Sequence, residues 1–352
     1  MSRMMKLAAL TCGCLVAGMA AASATTLRFS DYGPNRGARA EALQWYADQI
    51  KERSAGDLEI QFFWGGSLLG GKATLKGVGD GVADLGTVIG FFTPREMRAY
   101  NIGDLPVNNS DIWVGLRSMY ALSTENETMK QEFAKANVRY LTNYSTGPIQ
   151  LICNEEITSL DQLKDAKVRA SGPYGDTLRS LGVDVVGMSQ ADVYQALDSG
   201  LIDCNQNYYY SMLAYKQYEV AQHVLELNWG QNMSFGVAIN DRTYASLSDK
   251  QRQVLDEVSS DFEDYLAQKM IETDTTAKSR MVDGIDGKKI TVTTLSPADE
   301  KTLIEASATA IDAWVSAAKE EGVDSEALLS DYRELIGKYA KEQKDSGYPW
   351  TR

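Results

Sequence analysis

Histidine and cysteine are nearly missing from this chain: one histidine and four cysteines in 352 residues. That leaves too little material for an ordinary zinc site or a histidine-based catalytic triad. Positive charge is also short, with 35 Lys+Arg against 48 Asp+Glu and a net charge of −13. An acidic chain of this kind repels phosphate backbones and anionic lipid surfaces, which argues against nucleic-acid binding. No G-x-S-x-G elbow, Walker A run or H-E-x-x-H motif occurs. Gly77-x-Gly79-x-Gly81 lacks the spacing of a dinucleotide fingerprint and follows a helical pattern rather than a strand. His223 reads as a partly buried structural histidine, and Glu155-Glu156 as solvated charge in a loop. No cofactor is implied and no enzyme is expected. The composition favours a protein that holds something.

What is present begins with an export signal. Arg3 and Lys6 precede the uncharged stretch Leu7 to Ala22, and Ala22-Ser23-Ala24 supplies the small residues of a cleavage site after Ala24. The Ala/Gly/Thr-rich stretch is too weakly apolar for a membrane anchor, so the mature chain, localised to the periplasm, is not expected to insert. Cys12 and Cys14 leave with the signal; neither has Leu three residues before it, which argues against lipidation. Cys153 and Cys204 remain, in an oxidising compartment. They fit either a disulfide or two buried thiols acting as small hydrophobes.

Strand-like and helix-like segments alternate thereafter, an α/β pattern. Thr26 to Ser30 and Leu58 to Phe63 read as strands around a helix from about Arg39 to Ser54, and a glycine-rich turn at Gly65 to Gly71 opens a helix before the strand Ala83 to Val88. This order implies a mainly parallel sheet. The pattern restarts with a strand Lys167 to Ala170 and a helix around Gly175 to Leu181. A capping box at Ser189 and Asp192 would start a helix from Ala191 to Ser199, followed by a strand Leu201 to Cys204. Ser248 and Gln251 form a capping box for a helix reaching about Met281, at ~33 residues roughly 50 Å long and able to cross both halves. The expectation is two α/β lobes with a cleft between them and a long helix bridging both. Residues 25–147 plus about 237–272 would form lobe I, and 148–236 plus about 273–352 lobe II, with hinges near 146–153 and 233–240.

Three clusters suit ligand binding. Arg169 ends a strand and is followed by Ala170-Ser171-Gly172-Pro173 and a helix start, where α/β sheets present ligands. A guanidinium there suits bidentate contact with a carboxylate, helped by Ser171 and helix N–H groups; it also suits a plain salt bridge. Asn205 to Tyr210 follows another strand end and carries three tyrosines, some facing a cleft or all in packing. Tyr32 and Asn35 lie in the loop after the first strand.

Leu160-Asp161-Gln162-Leu163-Lys164-Asp165-Ala166-Lys167-Val168-Arg169 resembles the "DLKG-K-x-R" segment of the periplasmic solute-binding proteins of TRAP (tripartite ATP-independent periplasmic) transporters, the DctP-type family. Asp192 to Asp203 resembles the "EVYxALQxGxVDG" stretch of that family, Gly77 to Asp84 its "LxxGxxD" and Leu247-Ser248 the "LP" before its bridging helix. The resemblance implies a receptor with the two-lobed periplasmic-binding-protein (venus-flytrap) fold, which captures a small organic acid and delivers it to TRAP permease membrane subunits. It places the carboxylate-binding arginine on Arg169 and a pocket asparagine on Asn207. Cys204 stands where glycine is usual and Tyr208 where proline is common. The second arginine of sialic-acid-binding members has no counterpart near Ile149. With Tyr208, Tyr209, Trp229 and Phe91 as added walls, an aromatic or zwitterionic acid fits better than a sugar acid. A ligand-binding accessory of a signalling receptor shares all these features; a periplasmic enzyme acting on an organic acid is the reading from a different class.

Overall fold

A computed structural model describes residues 24–190 and 192–352. The expected signal peptide, residues 1–24, lies outside the described residues apart from Ala24, and so does Ala191. The chain runs β1 (Thr25–Ser30), α1 (Gly37–Arg53), β2 (Leu58–Phe63), α2 (Thr74–Gly79), β3 (Leu85–Ile89), α3 (Ile112–Glu125), α4 (Glu127–Lys135) and β4 (Val138–Tyr144). It continues with β5 (Gln150–Cys153), α5 (Leu160–Lys164), β6 (Lys167–Arg169), α6 (Gly172–Ser180), β7 (Asp184–Val186), α7 (Val193–Asp198), β8 (Cys204–Asn207), α8 (Tyr209–Ala214) and β9 (His223–Glu226). The last part is β10 (Phe235–Asn240), α9 (Asp241–Ser246), α10 (Asp249–Asp283), β11 (Thr291–Thr294), α11 (Pro297–Glu320) and α12 (Ser325–Ser346).

The first lobe is built on a sheet of order β2-β1-β3-β10-β4. β1 pairs in parallel with β2 and β3, as alternation predicts, but β10 lies antiparallel between β3 and β4. The expected mainly parallel sheet is therefore mixed. The chain re-enters this lobe from the second one, and Phe235 pairs with Ile89 at the carboxyl end of β3. A strand fed in from that end has to run backwards. The second sheet has the order β11-β9-β5-β8-β6-β7.

Two local expectations change. β8 begins at Cys204 rather than at Leu201, because Ser199 and Gly200 (φ +70°) make a turn that leaves Leu201 exposed before the chain reaches the sheet. α7 begins at Val193 with Asp192 at its N-cap, and the Asp192 side chain makes no capping bond. The long helix does carry the predicted capping box, with the Ser248 hydroxyl accepting from Gln251 N–H and the Gln251 side chain accepting from Ser248 N–H. Its Val254, Leu255, Val258, Phe262, Leu266 and Met270 pack into the first-lobe core, while Ala277 and Met281 pack into the second lobe.

Residues 273–352 do not stay with the second lobe as expected. Leu303 of α11 enters the second-lobe core, but Ile311, Trp314 and Ala318, then Leu328, Leu329 and Tyr332 of α12, return to the first. The apolar stripe of α11 is long enough to serve both lobes. Among residues 145–149 and 227–234, the two extended crossings pair with each other: Thr146 N–H donates to Asn232 O (3.1 Å) and Ile149 N–H to Gly230 O (2.9 Å). These crossings begin upstream of the predicted hinge ranges, which β5 and β10 largely occupy. Cys153 and Cys204, left open by the sequence, face each other across β5 and β8 with Cα atoms 4.1 Å apart and form a disulfide. Among the described residues no helix is long and apolar enough to cross a membrane, and no cluster of His, Cys, Asp or Glu is arranged to hold a metal.

Candidate functional site

The second lobe contributes the carboxyl ends of β6 and β8, neighbours in parallel register with Arg169 beside Asn205. β6 spans three residues, of which Val168 is fully buried; Arg169 follows at the rim, half-buried. The Arg169 Nε and Nη2 both donate to the Met188 carbonyl, at 3.1 and 3.0 Å. That uses one edge of the guanidinium and leaves the Nη1 side without a hydrogen bond among the described residues. No carboxylate among the described residues pairs with it. Burial therefore holds the Arg169 guanidinium below its usual value, with only nearby Tyr208 pulling the other way.

Asn207 is buried, and its Nδ2 donates to Gln217 Oε1 at 2.7 Å; Asn205 donates to the same oxygen at 3.2 Å. The Tyr208 hydroxyl accepts from Asn232 Nδ2 at 3.0 Å, and Thr146 lies within its reach. Burial raises this phenol, opposed by Thr146, Asn232 and the Arg169 charge. Tyr208 also stacks on Tyr210 with centroids 5.9 Å apart. Ser171 is the N-cap residue of α6; its backbone N–H donates to Gln206 Oε1 at 3.1 Å, and its side chain caps nothing.

The first lobe answers with aromatic surface. Phe235, at the start of β10, lies 5.6 Å from Phe91 edge-on, 5.5 Å from Tyr144 and 6.5 Å from Tyr32. Arg39, in the first turns of α1, sits 5.5 Å from the Tyr32 ring centroid and 5.7 Å from that of Trp64. Its Nη1 bonds Asp31 Oδ1 at 2.6 Å, and Asp31 also accepts from Gly33 N–H (2.8 Å) and Thr87 Oγ1 (2.7 Å). Burial works to lower Arg39, yet Tyr144, Asp31 and Tyr32 together keep it above the usual arginine range. At the rim, the Arg36 guanidinium stands 5.4 Å from the ring of Tyr215, across from the first lobe.

The predicted residues thus divide. Arg169, Asn207, Tyr208 and Ser171 sit together at the second-lobe strand ends, and Tyr32 and Phe91 belong to the facing aromatic group. Asn35 is exposed in its loop. Trp229 is no pocket wall: it is buried in the second-lobe core, edge-on to Tyr174 at 4.9 Å, with Nε1 donating to Ser307 Oγ at 2.8 Å. The sequence reading passed over the Asp31–Arg39 pair, Tyr144, Phe235 and Asn232. A buried Asp followed by Arg at i+8 carries no local signal, and Phe235 and Tyr144 look like ordinary strand residues. A cavity of about 340 Å³ lies between the lobes and α11, lined by Phe91, Asn101, Asp104, Pro173 and Trp314 among others. Asp104 is occupied there: it accepts from the backbone N–H groups of Met233 (3.0 Å) and Ser234 (3.1 Å) and from the Ser234 hydroxyl. Burial raises its carboxyl to about 6 against those donors.

Known proteins share this architecture. The structure of a TRAP periplasmic solute-binding protein from Desulfovibrio salexigens superposes with a TM-score of 0.78 at 24% identity, covering 92% of this chain and 97% of that one. A TRAP solute-binding protein from Rhodoferax ferrireducens, solved with copurified benzoate, gives 0.79 at 20% identity, covering 90% and 99%. The YiiZ protein of Salmonella typhimurium is 24% identical over 205 residues, 56% of this chain and 61% of YiiZ. Residues 29–317 match the family described as DctP, bacterial extracellular solute-binding protein, family 7. The family consists of binding proteins rather than enzymes. A match of that extent places this chain in the DctP family of bacterial extracellular solute-binding proteins.

Proposed function

We propose that the chain is the periplasmic substrate-binding subunit of a TRAP transporter, exported with cleavage after Ala24. It captures a small organic acid between its lobes, with Arg169 holding the carboxylate, and delivers it to the membrane permease. The observation that carries this reading is Arg169 itself: a half-buried guanidinium at a strand end with no acidic partner among the described residues and its Nη1 side uncommitted. Taking an ion out of water without a counter-charge is costly, and a ligand carboxylate would offset that cost. Tyr208 lies beside Arg169 and is bonded to the hinge residue Asn232, so the site and the crossing strands share one contact network. Closure of the lobes would bury the ion pair in a lower dielectric, where it discriminates more strongly. The benzoate found with the Rhodoferax relative is in keeping with an acid ligand.

Isothermal titration with a panel of small carboxylates tests the reading. The wild-type chain should bind at least one of them. Arg169→Ala should weaken that binding by ~2–5 kcal/mol while the circular dichroism spectrum stays unchanged. Undiminished affinity in the variant removes Arg169 from the site.

A further inference from the structure

The charges around the cleft limit what the ligand can be. Resting on the reading of Arg169 given above, we infer that the ligand is an aromatic monocarboxylate carrying no second charged group. Four ionisable groups bear on this. Arg169 has no carboxylate partner among the described residues and spends only its Nε/Nη2 edge, on the Met188 carbonyl. Arg39 is the other cation that faces the aromatic group, and it is already matched by Asp31 at 2.6 Å. Asp31 is fully buried and accepts from Gly33 and Thr87 as well, so this pair offers neither a free positive charge nor a free negative one. Asp104, which lines the interlobe cavity, is held by Met233 and Ser234. Inside the rim, where Arg36 stands against the Tyr215 ring, the site therefore has one unmatched charge, and it is positive.

A second ligand carboxylate among Phe91, Phe235 and Tyr32 would lose its water with no uncommitted cation inside the cleft to receive it, Arg36 standing outside at the rim. A ligand ammonium would find no uncommitted carboxylate, since both candidates already accept hydrogen bonds from the protein. A flat ring meets a better reception. Phe91 and Phe235 are already edge-on to each other at 5.6 Å, and Tyr208 and Tyr210 stack at 5.9 Å, so both lobes present faces and edges for offset or T-shaped contact.

The test uses the mature chain and five probes: benzoate, phenylacetate, cyclohexanecarboxylate, phenylalanine and succinate. Phenylalanine keeps the aromatic ring and adds an ammonium; succinate is a dianion without a ring; cyclohexanecarboxylate keeps the single charge on a saturated ring. Titration calorimetry should give benzoate or phenylacetate a Kd at least ~10-fold below those of phenylalanine and succinate, and several-fold below that of cyclohexanecarboxylate. Arg169→Gln should abolish the preference along with the binding. Phe91→Ala should weaken the aromatic acids more than cyclohexanecarboxylate. Succinate or phenylalanine binding as tightly as benzoate, with the binding lost in Arg169→Gln, overturns the charge argument and leaves Arg169 as the carboxylate site. Binding by none of the five, or binding indifferent to Arg169→Gln, overturns both.

Discussion

The phenol of Tyr208, at the end of β8, accepts a 3.0 Å hydrogen bond from the side-chain amide of Asn232, on the extended crossing between the lobes. The residue next to Asn207 is thus fastened to the crossing between the lobes. Removing the hydroxyl leaves the Asn232 amide short of a partner in a buried place, at a cost of about 1–3 kcal/mol. Tyr208→Phe should weaken ligand binding about 3–10-fold, mainly through faster dissociation, which stopped-flow displacement would read. An unchanged dissociation rate would show that Tyr208 serves only as packing.

Arg36 and Tyr215 stand on opposite sides of the cleft mouth, 5.4 Å apart. A partly exposed cation–π contact contributes ~0.5–1 kcal/mol. Arg36→Ala should therefore raise the dissociation rate about 2–5-fold without changing the melting temperature of the ligand-free protein. Small-angle scattering should show a slightly more open average shape.

Glu263 of α10 is fully buried and its carboxyl is pushed up to about 8 by burial, against hydrogen bonds from Thr142 and the Asn143 N–H and the charge of Arg117. In the unfolded chain a glutamate titrates near ~4.3. The folded state holds this proton more tightly, so the contribution to stability is complete below about pH 4.3 and is lost as pH rises towards 8. Asp104 and Asp274, both raised to about 6 by burial, and Glu132, raised to about 7, act in the same direction but are exhausted sooner. Melting temperature should fall across this range, and Glu263→Gln should flatten the segment from pH 7 to 8 in particular. An identical slope in the variant would show that Glu263 is already ionised in the fold.

The disulfide between Cys153 and Cys204 closes a loop with a sequence separation of 51. The chain-entropy relation gives such a link roughly 4 kcal/mol. The double variant Cys153→Ala/Cys204→Ala should melt on the order of 5–10 °C lower, and reducing agent should have the same effect on the wild type but none on the variant.

At the far end, the Tyr348 hydroxyl donates to Asp111 Oδ2 at 2.8 Å, and Asp111 caps α3 and accepts from Gln231 of the hinge through its carbonyl. Tyr348→Phe should cost ~1 kcal/mol of stability, measured by urea titration, with ligand affinity within twofold of wild type. A large loss of affinity instead would connect this C-terminal contact to closure.

Local pattern made a good part of this legible. β1, β2 and α1 follow from period-2 and period-3.6 alternation, and the start of α10 from the Ser248–Gln251 box, because each depends on neighbours within one turn or one strand. Arg169 was legible because strand ends present ligands. What depended on distant partners was not: the reversed β10 is set by where the chain returns, and the split of α11 between lobes by a stripe that looks uniform. Trp229 shows the ambiguity most plainly, since a tryptophan reads alike whether it lines a cleft or, as here, is held in a core by Ser307. The Asp31–Arg39 pair, decisive for the charge of the site, joins a loop to a helix and has no periodic signature.

The insertion of β10 between β3 and β4 has a consequence for the order in which the chain is made. Until residue 240 has been synthesised, the edges of β3 and β4 have no strand to join them, and Tyr332 of α12, another 92 residues on, completes the same core. The second sheet likewise waits for β11 at residues 291–294. Neither lobe can therefore complete its core until most of the chain has been made. A nascent chain without a finished lobe remains threadable, which is in keeping with the export proposed above.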